Sequence, residues 1–290
     1  MRQLPILLIT GALLSGALGS RANAQSLLDG LDAAPLVITP VSATFKDTRI
    51  INAQSNETPG KNVLHFVIAH RFGQINEGAY ALWGLDNASM RMAFDYGITD
   101  RLAVGLARST FQKTYEANIK WRALRQNSDN SMPISLTLYS VAMANGLRWA
   151  DPTRDNYFSS RLSYVNQAIF AKKWGSKMSL ALIPSFIHRN LVESLSDAHD
   201  QWTLGFGGRY KVTSRASINA EYHYALAGLP TDHVNSLSLG MDIETGGHVF
   251  QLHVTNSQGM FERAFLTETG GRWRDGALYF GFNLSRVFDF

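Results

Sequence analysis

The chain has 290 residues, of which 45% are hydrophobic and 17% charged, with a formal net charge of +4. It contains no cysteine, which excludes disulfide bridges, thiolate metal sites, cysteine nucleophiles and a lipid-anchored N-terminal cysteine. The apolar fraction is too high for a disordered chain. The small net charge gives no argument for nucleic acid, so we expect no nucleic-acid partner, and we expect no cofactor.

The first 24 residues have the pattern of a secretory signal peptide. Arg2 precedes an apolar stretch over residues 6–18, and Ala22 and Ala24 form an A-x-A cleavage site. A membrane anchor helix is the alternative, which the short apolar stretch and the cleavage site disfavour. The sequence therefore predicts an exported protein that begins at Gln25 after cleavage.

Residues 25–60 do not fit the pattern that follows them. Residues 26–34 can form a short helix or stay mobile, and residues 36–51 include an extended stretch. That stretch is either a plug inside the fold or a further strand, and a further strand would break an even strand count. We therefore predict an N-terminal lead-in or plug over 25–60 and one domain over 61–290.

The rest of the chain offers no run of the ~18 apolar residues that a membrane helix needs. Instead, apolar and polar residues alternate, as where Ile218 and Tyr222 face away from Asn219 and Glu221. A single 12-stranded antiparallel transmembrane β-barrel is predicted, with 14 strands as the alternative count and a soluble β-sandwich as the alternative fold. The twelve predicted strands are 62–72, 89–98, 101–111, 114–124, 134–143, 157–171, 177–188, 201–212, 215–225, 235–244, 248–256 and 276–289.

Connection lengths and aromatic residues favour the barrel over the sandwich. Short turns alternate with long loops, apart from the short link at 112–113 and the longish one at 125–133. Outward aromatic residues fall near both strand ends, as expected of the two girdles of an outer-membrane barrel. We therefore expect an outer-membrane location in a Gram-negative-type bacterium, with outer-membrane lipid as a partner.

The last strand adds a separate signal. Its apolar residues share one face and end on the final residue of the chain, a pattern that looks like the signal read by the barrel insertion machinery. The residues of this predicted signal are Phe280, Phe282, Leu284, Phe288 and Phe290.

Several stretches resemble the uncharacterised outer-membrane β-barrel proteins of the Bacteroidetes, a family catalogued as a domain of unknown function. The resemblance covers most of 43–290 and implies a barrel in the outer membrane, with no catalytic or ligand residues to transfer. It rests on His70-Arg71-Phe72-Gly73, on 84–126 with FDYGITDRLAVGLARSTFQKTYE and IKWRALRQ, and on 188–193, 207–213, 235–260 and 280–288.

Charged residues on the polar faces must look toward the lumen, because burying them in lipid is very costly. They form either a network that fills a narrow lumen or the lining of a small-solute pore with mild anion preference, since eight are basic and five acidic. The predicted lumen charges are Arg71, Arg91, Asp95, Glu116, Lys120, Arg122, Arg161, Arg209, Lys211, Arg215, Glu221, Asp242 and Glu244.

Metal binding and catalysis are not expected. His65, His223 and His253 point inward but lie on three different strands, too far apart for one ion. No histidine is followed two residues later by serine, as an outer-membrane phospholipase would require.

The sequence thus predicts a porin-like barrel, most simply a narrow channel for small polar or anionic solutes. The alternatives are a non-transporting structural or partner-binding barrel and, least favoured, an enzyme that modifies envelope lipids. Loop 257–275 carries Glu262 and Arg263 and is predicted to be a lid or an external contact surface.

Overall fold

The computed structural model describes residues 38–192, 194, 197–229 and 233–290. The predicted cleavage residues Ala22 and Ala24 lie outside the described residues, as does most of the predicted lead-in. The chain divides into two units between Thr39 and Pro40, and the barrel belongs to the unit that begins at Pro40.

Twelve antiparallel strands close into a barrel, because the first strand pairs with the last as well as with the second. The predicted fold class is therefore confirmed, with twelve strands rather than fourteen. The strands are β1 Val63–Gln74, β2 Ala88–Gly97, β3 Leu102–Ser109, β4 Tyr115–Leu124, β5 Ser135–Ala144, β6 Leu162–Trp174, β7 Met178–Arg189, β8 Asp200–Lys211, β9 Ala216–Ala227, β10 Ser236–Thr245, β11 His248–Thr255 and β12 Tyr279–Asp289.

Two strands begin later than their alternation predicts. The predicted sixth strand starts at 157, but Phe158–Arg161 forms a 3-10 turn and β6 begins at Leu162. The predicted last strand starts at 276, but a 3-10 turn ends there at Gly276, which has a left-handed backbone with φ 67°. At the first place the turn itself occupies the predicted strand start, and at the second the chain leaves the turn through irregular residues 276–278 before β12.

Alternation decides which face of each strand is buried, because successive side chains point to opposite sides of the sheet. Inward residues are small, polar or tightly packed, whereas large outward side chains such as Leu106 remain 65% exposed. An apolar face that is exposed over the whole surface is turned to lipid rather than to a second sheet, which excludes the sandwich.

Connections differ at the two ends of the barrel. We call the end with the short turns, such as 175–177 and 246–247, the turn end, and the opposite end the loop end. An α-helix, α1 Glu262–Thr267, lies in the loop between β11 and β12. No helix in the described part of the chain is long and apolar enough to cross a membrane.

Candidate functional site

The lumen is the candidate site, because two segments of the chain fill it from opposite ends. Residues 40–60, called the plug below, enter at the turn end, and residues 256–271, called the inward loop, enter at the loop end. Phe45 and Ile50 of the plug and Phe261 and Phe265 of the inward loop are all buried at 2% exposure or less.

The plug is a re-entrant hairpin whose two ends stay at the turn end. The Val41 amide donates to the Gln126 carbonyl at 2.7 Å, and the Lys61 amide donates to Asp100 at 3.1 Å. Between these points the chain rises and folds back, with Arg49 paired to Gln54. The Ile50 amide donates to the Ala53 carbonyl at 2.8 Å, which closes a tight turn at the tip.

A single buried carboxylate holds that tip. The backbone amides of Ile51, Asn52 and Ala53 donate to Glu221 on β9 at 2.9–3.1 Å. Successive N–H groups that converge on one anion form a strong cradle, since hydrogen bonds to ionised acceptors are the stronger ones. Glu221 is 2% exposed, so water does not compete for these bonds.

Basic residues of the barrel wall bind the plug farther down. Lys120 donates to the Thr48 carbonyl at 2.9 Å and to Gln54 at 3.0 Å. Arg209 donates to the carbonyls of Ala43 and Thr44 at 3.1 and 3.2 Å. Each of these bonds runs from a charged wall residue to a polar group of the plug.

Ion pairs complete the contact between plug and wall at the turn end. Arg122 pairs with Glu57 at 3.2 Å, and Lys46 pairs with Glu244. Asp47 accepts from His65 at 2.7 Å. Burial acts to raise the pKa of Asp47, but the charge of His65 and several hydrogen bonds hold that pKa at about 2, so the plug carboxylate stays ionised.

The inward loop folds into the lumen because it carries apolar residues at helical spacing. Phe261, Ala264 and Phe265 share one side of the turn around α1 and are buried at 1% or less. They pack with inward residues of β5–β7, among them Val165 and Ile183. Glu262 and Arg263 are buried with them, so this part of loop 257–275 is not the external contact surface that its charge suggested.

Plug and inward loop meet at mid-barrel through two charged residues. Glu262 of the loop accepts from Arg49 at 2.8 Å and from Gln54 at 2.9 Å. Burial acts to raise the pKa of Glu262, but the guanidinium groups of Arg49 and Arg91 lower it. The two fillings of the lumen are thus joined by an ionised carboxylate.

Arg71 on β1 makes the second junction. Its guanidinium donates to Asn52 of the plug at 2.8 Å and also to the Ser257 carbonyl of the inward loop. Arg71 is 1% exposed, so one wall cation ties both fillings to the barrel.

A smaller set of predicted lumen charges binds only other wall residues. Arg91 and Glu116 form a bidentate pair at 2.8 and 2.7 Å. Asp95 accepts from Asn118 at 3.2 Å, and Asp242 accepts from Gln251 at 2.6 Å. These bonds remain within the barrel whether or not the plug is in place.

Arg161 does not belong to the lumen. Because 158–161 is a 3-10 turn rather than a strand, its guanidinium lies at the loop end and donates to the carbonyls of Asn145 and Leu147 at 2.8 and 2.5 Å. It also stacks over Trp149 at 3.8 Å from the ring centroid. Arg215 is exposed in the turn before β9 and Lys211 ends β8, so both lie at the turn-end mouth.

The predicted insertion signal lies on the outward face of β12 and at the chain end. Phe282 stacks against His70 of β1 at 5.0 Å, and Phe280 stacks against Phe72 at 5.8 Å. Leu284, Phe288 and Phe290 are 36%, 37% and 80% exposed. The role of this face in insertion stays a prediction.

The three inward histidines are buried in different surroundings. His65 pairs with Asp47, His253 lies 3.0 Å from Arg71, and His223 packs on Phe265. Within the described ranges, no group of three or more His, Asp or Glu side chains is placed to hold a metal ion.

Beside the plug, small spaces remain along the polar side of the lumen. A cavity of about 350 Å³ opens at the turn end between the plug and His65, Glu244 and Ser285. Deeper in, a void of about 20 Å³ lies between Val67, Arg91, Asn283 and Met260 of the inward loop. The two share Asp47, Thr48 and Val249, so they follow one another along the same side of the plug.

Residues 45–288 match the model of a family described as a membrane-bound beta barrel domain (DUF5777). The chain belongs to this family. The resemblance to a barrel family of unknown function is thereby confirmed, while a Bacteroidetes origin stays a prediction. None of the curated proteins searched matches the chain.

Solved structures with a similar course of the chain are barrels of low sequence identity. The NanC porin has a TM-score of 0.49 at 7% identity, covering 78% of this chain and 99% of its own. An outer membrane channel from Pseudomonas putida F1 has 0.47 at 14% identity, covering 80% and 97%. Outer membrane phospholipase A from Escherichia coli has 0.41 at 12% identity, covering 78% and 90%. These likenesses concern the shape of the chain and carry no argument about its activity.

Sequence reasoning predicted a lead-in or plug over 25–60 but did not identify which of its residues pack in the lumen, and it missed the inward loop. In the inward loop the signal was present, since Phe261, Ala264 and Phe265 have helical spacing inside a loop that was expected to face water. In the plug the signal is weaker, because Phe45, Ile50 and Ile51 follow neither period. Two wall glycines mark the contact instead, since Gly207 lies against Ile50 and Gly240 against Ile51.

Proposed function

We propose that this protein is an outer-membrane barrel that passes small polar solutes, with a preference for anions, when the plug leaves the lumen. Membership of a membrane-bound barrel family and the exposed apolar outer face support the location. The observation that carries the transport proposal is the pairing of the wall charges. Six of them bind the plug instead of one another, namely Arg71, Lys120, Arg122, Arg209, Glu221 and Glu244.

This pairing differs from that of a lumen filled only for stability. Buried charges contribute little stability compared with apolar residues of the same volume, and their best-attested use is to specify a register or a switch. Here the partners of six wall charges sit on a segment that contributes no strand to the barrel and continues into it through β1. When that segment leaves, water replaces its polar groups, and the wall charges are left lining an aqueous path.

The charge of the exposed wall sets the selectivity. Inside the lumen the basic residues of the wall, Arg71, Arg91, Lys120, Arg122 and Arg209, are matched in number by the acidic residues Asp95, Glu116, Glu221, Asp242 and Glu244. Lys211 and Arg215 at the turn-end mouth leave the path with a net positive charge there. A narrow low-dielectric passage with a positive mouth concentrates anions. The cavities between the plug and β1, β2 and β10–β12 indicate the side along which the path opens.

Planar-bilayer recording tests this proposal. Wild-type barrels should show brief openings, and Glu221→Gln should raise the open fraction by about tenfold, because it weakens the cradle of the plug tip. In a salt gradient the reversal potential should indicate anion preference, which Arg209→Glu should reduce. Asp95→Asn is the matched control, since Asp95 binds Asn118 of the wall and should leave the open fraction unchanged.

A non-transporting barrel is the second candidate, and one observation favours it. Phe45, Ile50 and Ala53 of the plug share an apolar core with inward residues of β5–β7, and such packing resists displacement. This candidate predicts that wild type and Glu221→Gln are both silent, a result that would discard the channel.

A further inference from the structure

The outward face of the barrel has a hollow on β4–β8, on the lipid side of the wall. Cross-strand pairing defines a continuous row of outward residues above it, Ile119, Ser140, Asn166, Phe186 and Trp202. The next row toward the turn end contains Trp121, Leu138, Ala168, Pro184 and Leu204.

Two small residues in the second row create the hollow. Ala168 and Pro184 form its floor, while Trp121, Leu138 and Phe186 stand around it, and the volume of this open hollow is about 560 Å³. Pairing between β6 and β7 stops at Gln167–Ser185 and resumes at Phe170–Leu182. Proline explains the gap, because it has no N–H to donate to a neighbouring strand.

One corner of the hollow is polar. The Ser140 hydroxyl donates to the Asn166 amide oxygen at 2.8 Å, and the Asn166 side chain is exposed on the outward face. Within the described ranges the Asn166 NH₂ group has no protein partner. A polar group that faces hydrocarbon without a partner is costly, so its position on this face calls for an acceptor supplied by the membrane.

We infer that this hollow binds one acyl chain of a membrane lipid, with the Asn166 amide donating to the ester carbonyl at the head of that chain. Asn166 pairs with Phe186, which pairs with Trp202, so the amide lies beside aromatic residues of the type that mark the membrane interface. Lipid carbonyls lie at that level, and the apolar floor at Ala168 and Pro184 receives the methylene chain beside it.

The shape of the hollow decides between a lipid and a second copy of this chain. Two copies that met face to face would enclose an empty space made of their two hollows. The residues around that space would lose van der Waals contacts, which makes such a dimer unfavourable. A flexible acyl chain fills a concave apolar surface without leaving that void. The site is separate from the plug, because Asn166, Ala168 and Pro184 lie on the outward face of the wall.

Native mass spectrometry of the purified full-length protein, titrated with ester-linked phosphatidylethanolamine in mild detergent, tests the site. Wild type should retain one lipid per barrel at low lipid concentration. Ala168→Phe fills the floor and should weaken this retention by about tenfold. Ala220→Phe makes the same change at an exposed outward alanine of β9 and should leave retention unchanged.

The carbonyl contact is tested with a second lipid and a second variant. Ether-linked phosphatidylethanolamine lacks the carbonyl, so wild type should bind it more weakly than the ester form. Asn166→Leu should bind both forms alike, and this comparison stands even where Ala168→Phe does not fold. Equal losses in Ala168→Phe and Ala220→Phe, or equal wild-type binding of ester and ether lipids, overturn the site. A two-barrel mass that disappears in Ala168→Phe assigns the hollow to a second copy instead.

Discussion

The inner wall of the barrel has two sides that hold the lumen contents in different ways. On β5–β7 the inward residues are largely apolar, and Val165, Ile169 and Ile183 pack against Phe261 and the plug with no exposed surface. On β1–β4 and β8–β10 the inward face carries the charges, and these bind the plug through hydrogen bonds and ion pairs.

This difference assigns separate roles to the two sides. Apolar packing is non-directional and scales with the area removed from water. The inward residues of β5–β7 therefore stabilise the apolar residues of the inward loop and of the plug that pack against them. Hydrogen bonds to charged groups depend on geometry and are replaced by water when the partner leaves. The apolar side therefore anchors the inward loop and the apolar residues Phe45, Ile50 and Ala53 of the plug. The polar side holds the rest of the plug through bonds that water can replace when the plug leaves.

The largest expected effect comes from the charge pair that stays within the polar wall. Arg91→Met leaves Glu116 buried without a partner and should lower the free energy of unfolding by about 3–5 kcal/mol. The double variant Arg91→Met/Glu116→Leu should recover most of that loss, because an apolar pair replaces the ions. Urea unfolding in micelles measures both. If the double variant is as unstable as the single one, the Arg91–Glu116 ion pair itself is needed to hold the plug and the inward loop in place.

Glu221→Gln should loosen the plug more than it destabilises the barrel. Hydrogen bonds to ionised groups are worth about 1.5–3 kcal/mol, which corresponds to about a tenfold or greater rise in exposure of the tip. Since the chain has no cysteine, the labelling rate of Ala53→Cys measures that exposure without background. Lys61 is exposed at the turn end, so Lys61→Cys should be labelled at the same rate whether residue 221 is Glu or Gln.

Gly207→Ala tests how closely the plug fits the wall. A methyl group at this position would overlap the Ile50 side chain, and overpacking of this kind costs about 1–3 kcal/mol. Gly208→Ala is the matched control, because its added carbon would lie 3.4 Å from Leu180, at ordinary contact. The labelling rate of Ala53→Cys should rise with the first substitution and stay constant with the second.

The smallest expected effect comes from comparing the same kind of truncation at a residue on the apolar side of the lumen and at a residue that faces lipid. Ile183→Val removes one buried methylene from a fully enclosed residue and should cost about 0.5–1.5 kcal/mol. Leu182→Val, on the outward face and 39% exposed, should cost less, because lipid refills the space. Equal losses in urea unfolding would mean that the two faces are not packed differently.

The sequence predicts the barrel well, because alternation of side chains is a local property that tertiary contacts rarely override here. It predicts the strand starts at 157 and 276 wrongly, since a 3-10 turn occupies Phe158–Arg161 and another ends just before Gly276. It places Arg71, Lys120 and Glu221 on the inward face, but it does not identify their partners. Those partners lie at positions 43–57 and 257–269, and contacts over such a sequence separation leave no periodic trace.

A disulfide between plug and wall tests the central claim most directly. In the double variant Ile50→Cys/Gly207→Cys, the new Cβ at 207 lies 3.7 Å from the position of Ile50 Cγ1, within reach of a disulfide after a small shift. Planar-bilayer recording should show openings in the reduced double variant and closed barrels after oxidation, with conductance restored by reductant. Equal conductance in both states, or silence in both, would contradict a plug that gates the barrel.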